Sequence, residues 1–214
     1  MRMVGRVALV AAWLSLPGNS ASAQQGRGFG MGAAGAFVVR APNVQKELKF
    51  TAEQTAKVQD SIQQIVEKYR DQMSAVRELP EDERPAKFRA LVKSVADDVK
   101  SALAMTPEQS QRYDQIVLQQ RGIWSFTDPV IQSRLQLTDE QKQRIRDLDA
   151  QARQRFDEIR KDARDNFDEA RIKFDATRKD FSEKGVAHLS DDQKKIWKSL
   201  TGEPFEVQFD RPGQ

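Results

Sequence analysis

The chain has 214 residues, no cysteine, one histidine and a formal charge of +3. Disulfides, thiolate zinc sites and thiol nucleophiles are therefore excluded outright. Charged residues make up 31% and aromatics only 7%, so any core is thin and most helix surface is solvated.

Arg2 and Arg6 precede the apolar run Val7 to Leu16, and Pro17, Gly18 and the small residues Ala21, Ser22 and Ala23 follow. This is the pattern of a cleavable secretory signal. An uncleaved anchor needs about 20 apolar residues, and this run is half that length. The expectation is a signal peptide over 1–23 cut after Ala23, a periplasmic or otherwise exported product, and no lipid anchor. Removing Arg2 and Arg6 lowers the charge to about +1, a weak basis for nucleic-acid binding. No second apolar run is long enough to span a membrane.

Residues 24–41 begin with the aperiodic, glycine-rich "QQGRGFGMGAAGAF" and read as a flexible leader, with order beginning near Pro42. From there the apolar spacing is helical almost throughout, and no alternating run suggests a strand. The fold class expected is all-α, built from long amphipathic helices. A first long helix starts at Thr51 and carries Val58, Ile62, Ile65, Val66, Tyr69, Met73, Val76 and Leu79 as one stripe. Pro80 and Pro85 interrupt it. A second helix carries Phe88, Leu91, Val92, Val95, Val99 and Leu103, and a third runs from Thr106 toward Gly122.

After the joint 121–129, a short helix around Ile131 to Leu135 leads into the longest segment. Ile145, Leu148, Ala152, Phe156, Ile159, Ala163, Phe167, Ala170, Phe174, Thr177 and Phe181 recur at 3.6 residues per step over 36 residues. With no Pro or Gly from Thr138 to Lys184, one straight helix of about 70 Å fits, as does a hairpin folded near Asp165 and Asn166. Gly185 is expected to end the segment. A last helix spans Ser190 to Leu200, and an irregular tail covers 201–214.

One local pattern appears four times: Phe50, Thr51 and Gln54; Met105, Thr106 and Gln109; Leu137, Thr138 and Gln141; Leu189, Ser190 and Gln193. A hydroxyl followed three residues later by Gln is a capping box, in which each side chain accepts from the other residue's backbone N–H. Glu53, Glu108, Glu140 and Asp192 sit at the second helical position, where the helix dipole favours negative charge. The hydroxyls at 51, 106, 138 and 190 are spaced as two long-gap pairs. An offset of 87 lays Pro42 on Pro129, Gln45 on Gln132, Leu48 on Leu135 and Tyr69 on Phe156; for the second motif of each half the offset is 84. An internal duplication accounts for this, with repeats over 42–122 and 123–200.

The twice-paired LTxxQ pattern in an exported, disulfide-free, helical chain resembles the Spy/CpxP family of periplasmic stress proteins, over roughly Val44 to Leu200. "MTPEQSQRY" and "LSDDQKKIW" match its closing motif, with Met105 in place of Leu and Ser190 in place of Thr. The resemblance implies a helical cradle that holds partly unfolded clients without ATP. With two motif pairs in one chain, the expected assembly is a monomeric pseudo-dimer or a homodimer, acting on unfolded or envelope proteins. The alternatives are a structural or regulatory envelope protein pairing with one partner, such as a sensor kinase domain, and a metal-responsive regulator.

The motif residues read as structural caps. Phe156, Phe167, Phe174 and Phe181 read as core, or as a client surface if the second half leaves them uncovered. His188, Met31, Met73 and Met105 form no ligand cluster, so no metal or cofactor is expected. "DNFDEAR" (165–171) reads as a solvated charged face. No nucleophile elbow, phosphate loop or dinucleotide fingerprint is present, and no catalytic residue is expected.

Overall fold

A computed structural model describes residues 35–162 and 167–208, together with the side chains of these residues apart from 162, 167 and 168. The expected signal peptide, most of the expected leader, Asp165, Asn166 and residues 209–214 lie outside the described residues. Among the described residues the chain is all-helical, without a strand. A 3₁₀ segment, Gly35–Arg40, leads into α1 (Pro42–Glu47), α2 (Ala52–Val76), α3 (Arg84–Ala102) and α4 (Pro107–Arg121). A second 3₁₀ segment, Gly122–Thr127, leads into α5 (Pro129–Arg134), α6 (Asp139–Asp162), α7 (Phe167–Ala187) and α8 (Asp191–Thr201). No helix is long and apolar enough to cross a membrane among the described residues.

In α2 the expected stripe is buried: Val58, Ile62, Ile65, Tyr69, Met73 and Val76 face inward. It packs on Leu91, Val92, Val95 and Val99 of α3 in one apolar cluster. The prolines act at both sides of the bend. Helix α2 stops at Val76, ahead of Pro80, and Pro85 falls in the first turn of α3, where a missing N–H is tolerated.

Helices α6 and α7 also pack on one another, which settles the choice between rod and hairpin. As one helix, Phe156 and Phe174 would lie about 27 Å apart at 1.5 Å per residue, whereas their ring centroids are 4.4 Å apart. Helices α6 and α7 are thus a hairpin, and the apolar period continues because each helix buries its stripe against the other. Ile145, Leu148, Ala152, Phe156, Ile159, Ala170 and Phe181 share one core cluster.

Three boundary readings are corrected. The expected leader is not free over 35–41: Ala36, Phe37, Val38, Val39 and Ala41 are buried, because they supply apolar surface that α2, α3 and α4 leave uncovered. Gly185 does not end its helix, which continues to Ala187. A Cβ there would sit 2.9 Å from the Phe126 ring and 3.0 Å from Ile123, so the glycine admits a close approach. Thr201 belongs to α8 and is buried. The non-helical tail after it is tied back to the first half. Phe205 N–H donates to Gln119 Oε1 (2.8 Å), Asn43 Nδ2 donates to Glu206 O (2.8 Å), and Phe205 and Val207 pack against the first cluster.

Candidate functional site

The four motifs lie at helix starts, and the turn in front of three of them is built alike. Lys49, Ala104 and Gln136 have φ of 53°, 45° and 52°. Behind them Phe50, Met105 and Leu137 N–H reach back to Gln45, Lys100 and Gln132 O, at 2.9, 3.0 and 3.0 Å. This is the six-to-one bond of a Schellman ending, satisfying a carbonyl that the finished helix would leave open. The fourth turn differs: Leu189 N–H bonds Val186 O at 3.0 Å. The apolar residue then turns inward, with Leu137 and Leu189 buried and Phe50 and Met105 half-buried against the first cluster.

Each hydroxyl then caps its helix. Thr51, Thr106, Thr138 and Ser190 accept from the N–H of Gln54, Gln109, Gln141 and Gln193 at 3.1 to 3.3 Å, and each glutamine Oε1 accepts from the cap's own N–H at 2.8 to 3.0 Å. Two acids of the first turns are held ionised by their neighbours. The Lys57 ammonium, by hydrogen bond and charge, holds the Glu53 carboxyl below its ordinary range; backbone N–H and the Thr106 hydroxyl do so for Glu108.

Capping uses only one side of each amide. The other side joins two helix starts. Gln54 Nε2 donates to Gln109 Oε1 at 2.9 Å and Gln109 Nε2 donates back at 3.1 Å. In the second half Gln141 and Gln193 exchange the same bonds at 2.7 and 3.0 Å. The second amide hydrogens go to turn carbonyls: Gln54 to Leu103 O (3.0 Å), Gln109 to Lys49 O (3.3 Å), Gln141 to His188 O (2.8 Å) and Gln193 to Gln136 O (3.4 Å). Every amide therefore uses two donors and two acceptor positions, its full capacity. Such a clasp ties the start of each half's long hairpin to the turn that closes it. Asp and Asn are too short to bridge this way, and Glu has no N–H, so the glutamines have a role that capping alone does not require.

Sequence reasoning did not find the 3₁₀ segments or their anchors. Gln45 Nε2 donates to Val39 O and Gln132 Nε2 to Phe126 O, both at 2.8 Å. Tyr113, fully buried, donates to Ala36 O at 2.6 Å. Burial pushes its phenol well above the ordinary range, with the Asp114 and Asp97 charges adding to the effect. The alignment of Gln45 on Gln132 was the available signal.

The phenylalanine stripe separates. Phe156 and Phe181 are buried, so they are core and offer no client surface. Phe174 is half-buried against Phe156, which Trp124 contacts at 5.0 Å between centroids. The Phe167 side chain lies outside the described residues. Along the hairpins the charges pair across one helical turn, as in Lys57 with Glu53, Arg153 with Asp149 and Lys184 with Asp180. The cleft between α6 and α7 is an open groove lined by Gln151, Arg155, Glu158, Thr177, Asp180 and Lys184 among others. No group of three or more His, Cys, Asp or Glu able to hold a metal occurs among the described residues. Comparison with protein-family models, curated proteins and solved structures finds no match for the chain.

Proposed function

We propose that the chain is an exported, non-catalytic, ATP-independent chaperone or stress adaptor of the Spy/CpxP kind, in which an internal duplication builds a pseudo-dimer from one polypeptide. The observation that carries this reading is the paired clasp. Gln54 with Gln109 and Gln141 with Gln193 lie at offsets of 87 and 84, and each pair makes the same amide exchange. The element starts support it too: Gly35, Pro42 and Ala52 correspond to Gly122, Pro129 and Asp139, all at 87. In this reading the LTxxQ pattern is the fastening of a two-helix arm, and a chain with two fastenings carries two arms.

A second reading is a structural or regulatory envelope protein that pairs with one defined partner. It is favoured by the surface: Val130 and Ile172 are the exposed large apolar residues among those described, and the hairpin exteriors are otherwise charged in both signs. A general chaperone needs apolar surface to offer.

The two readings separate in a light-scattering assay. Mature protein, Gln24 to Gln214, is added without nucleotide to several chemically unfolded clients. Suppression of scattering near stoichiometric ratios is expected; none across all clients sinks the chaperone reading and leaves the single partner, to be sought by crosslinking.

A further inference from the structure

The apolar surface that a chaperone needs is present but occupied. Gly35–Arg40 lies against α1, α2, α3 and α4, and Gly122–Thr127 lies against α4, α5, α6 and α7. The two segments hold corresponding places with different side chains. At offset 87, Ala36 matches Ile123, Phe37 matches Trp124, Val38 matches Ser125 and Val39 matches Phe126. What the two sites share is a backbone contact, the glutamine Nε2 on the fifth residue's carbonyl at 2.8 Å. Tyr113 adds a second backbone contact in the first half, on Ala36 O. Each site thus holds its segment partly through main-chain carbonyls, a contact that any residue can offer whatever its side chain. That is the chemistry a binder of unlike unfolded chains requires.

The two occupants differ in how they are held. Residues 122–127 run directly from α4 into α5, whereas residues 35–40 join a described helix only through Ala41. Among the described residues, leaving the first site undoes that 3₁₀ turn and moves only the chain before Ala41, whereas leaving the second means moving two helices.

We propose that Gly35–Arg40 is the resident occupant of an apolar-segment site in the first half, and that short apolar stretches of partly unfolded proteins bind by displacing it. This rests on the chaperone reading. Its shape makes the segment a built-in competitor, which keeps the site covered when no client is present.

The chain has no cysteine, so a single engineered disulfide locks the segment cleanly. A Cβ on Gly35 would lie 3.9 Å from Gln120 Cβ, within the roughly 3.5–4.5 Å that a disulfide spans. The full mature chain carrying Gly35→Cys and Gln120→Cys is compared with and without reductant, in the scattering assay and by hydrogen exchange. The reduced form is expected to suppress aggregation like the native chain and the oxidised form to lose suppression. In the native chain, exchange of the Ala41 N–H, which bonds Val38 O at 2.9 Å, is expected to quicken when client is added. Equal suppression by both redox forms, with Ala41 exchange unchanged, overturns displacement and leaves the chaperone reading standing. Absence of suppression by native, reduced and oxidised protein alike overturns both.

Discussion

Substituting Gln54→Glu separates a cap from a clasp by the sign of its effect. If Gln54 only capped α2, glutamate would serve as well: it is the usual third-position partner of a capping box, and its charge at the helix start is worth about 0.3–1 kcal/mol. In the clasp the opposite holds. The carboxylate still accepts from Thr51 N–H and Gln109 Nε2, but it cannot make the donations to Leu103 O at 3.0 Å and Gln109 Oε1 at 2.9 Å. Two bonds at about 0.5–1.5 kcal/mol each are lost, and a largely buried acceptor faces two others, which adds about 1–3 kcal/mol. The mid-range sum of about 4 kcal/mol, less the dipole's share, is a net loss of about 3 kcal/mol, or a Tm drop of roughly 6–12 °C at about 2–4 °C per kcal/mol.

The pH dependence carries the same sign. Facing acceptors and poorly hydrated, the new carboxyl has a folded pKa above its unfolded value, so the variant's deficit is full above the carboxylate range. The deficit shrinks as falling pH protonates the group and restores a donor. Thermal unfolding of Gln54→Glu and wild type across that range, with Gln141→Glu as the second-half counterpart, is the assay. A Gln54→Glu protein as stable as wild type or more so at neutral pH refutes the clasp.

Ala104→Gly is expected to stabilise by up to about 1 kcal/mol, although Ala to Gly usually destabilises, because Ala104 sits at a left-handed φ of 45°; urea unfolding midpoints decide it. Gly185→Ala should lower stability by about 1–3 kcal/mol despite alanine's better helix propensity, since its Cβ meets Phe126 at 2.9 Å; a gain in the urea midpoint would contradict the close packing. Tyr113 should stay un-ionised while folded, its phenol being held well above 10.0 by burial. The unfolded chain ionises near pH 10, so this stability is full below that value and declines above it. The phenolate absorbance of Tyr113, isolated in a Tyr69→Phe background, should appear together with loss of helicity; ionisation of a still-folded chain would oppose the assignment. Tyr113→Phe should cost about 1 kcal/mol through the lost bond to Ala36 O.

The helix starts were legible because a capping box is local: hydroxyl and glutamine lie three residues apart, and the bonds between them follow from helix geometry. The pairing of Gln54 with Gln109 spans 55 residues and depends on two turns meeting, which no short pattern encodes. The choice between a rod and a hairpin for α6 and α7 stayed open for a related reason. An apolar period of 3.6 is the same whether a helix buries its stripe against another element or against its own continuation, and no Pro or Gly marks the reversal. Gly185 was misread because glycine can signal close approach as well as termination; the Phe126 and Ile123 side chains beside it distinguish the two. The run Ala36 to Val39 is too short to show a period, and it stands beside glycine-rich sequence, so its burial is visible only where three helices leave a gap for it. Burial of Phe156 and Phe181 followed the core reading of the stripe, because the facing helix covers them.

The paired glutamines are tested most directly by nuclear magnetic resonance of the side-chain amides in glutamine-labelled protein spanning residues 24–214. The amide groups of Gln54, Gln109, Gln141 and Gln193 should all exchange slowly, with cross-relaxation between Gln54 and Gln109 and between Gln141 and Gln193. Fast exchange at all four, with contacts confined to each glutamine's own helical turn, would reduce the motif to four independent caps and remove the basis for two fastened arms.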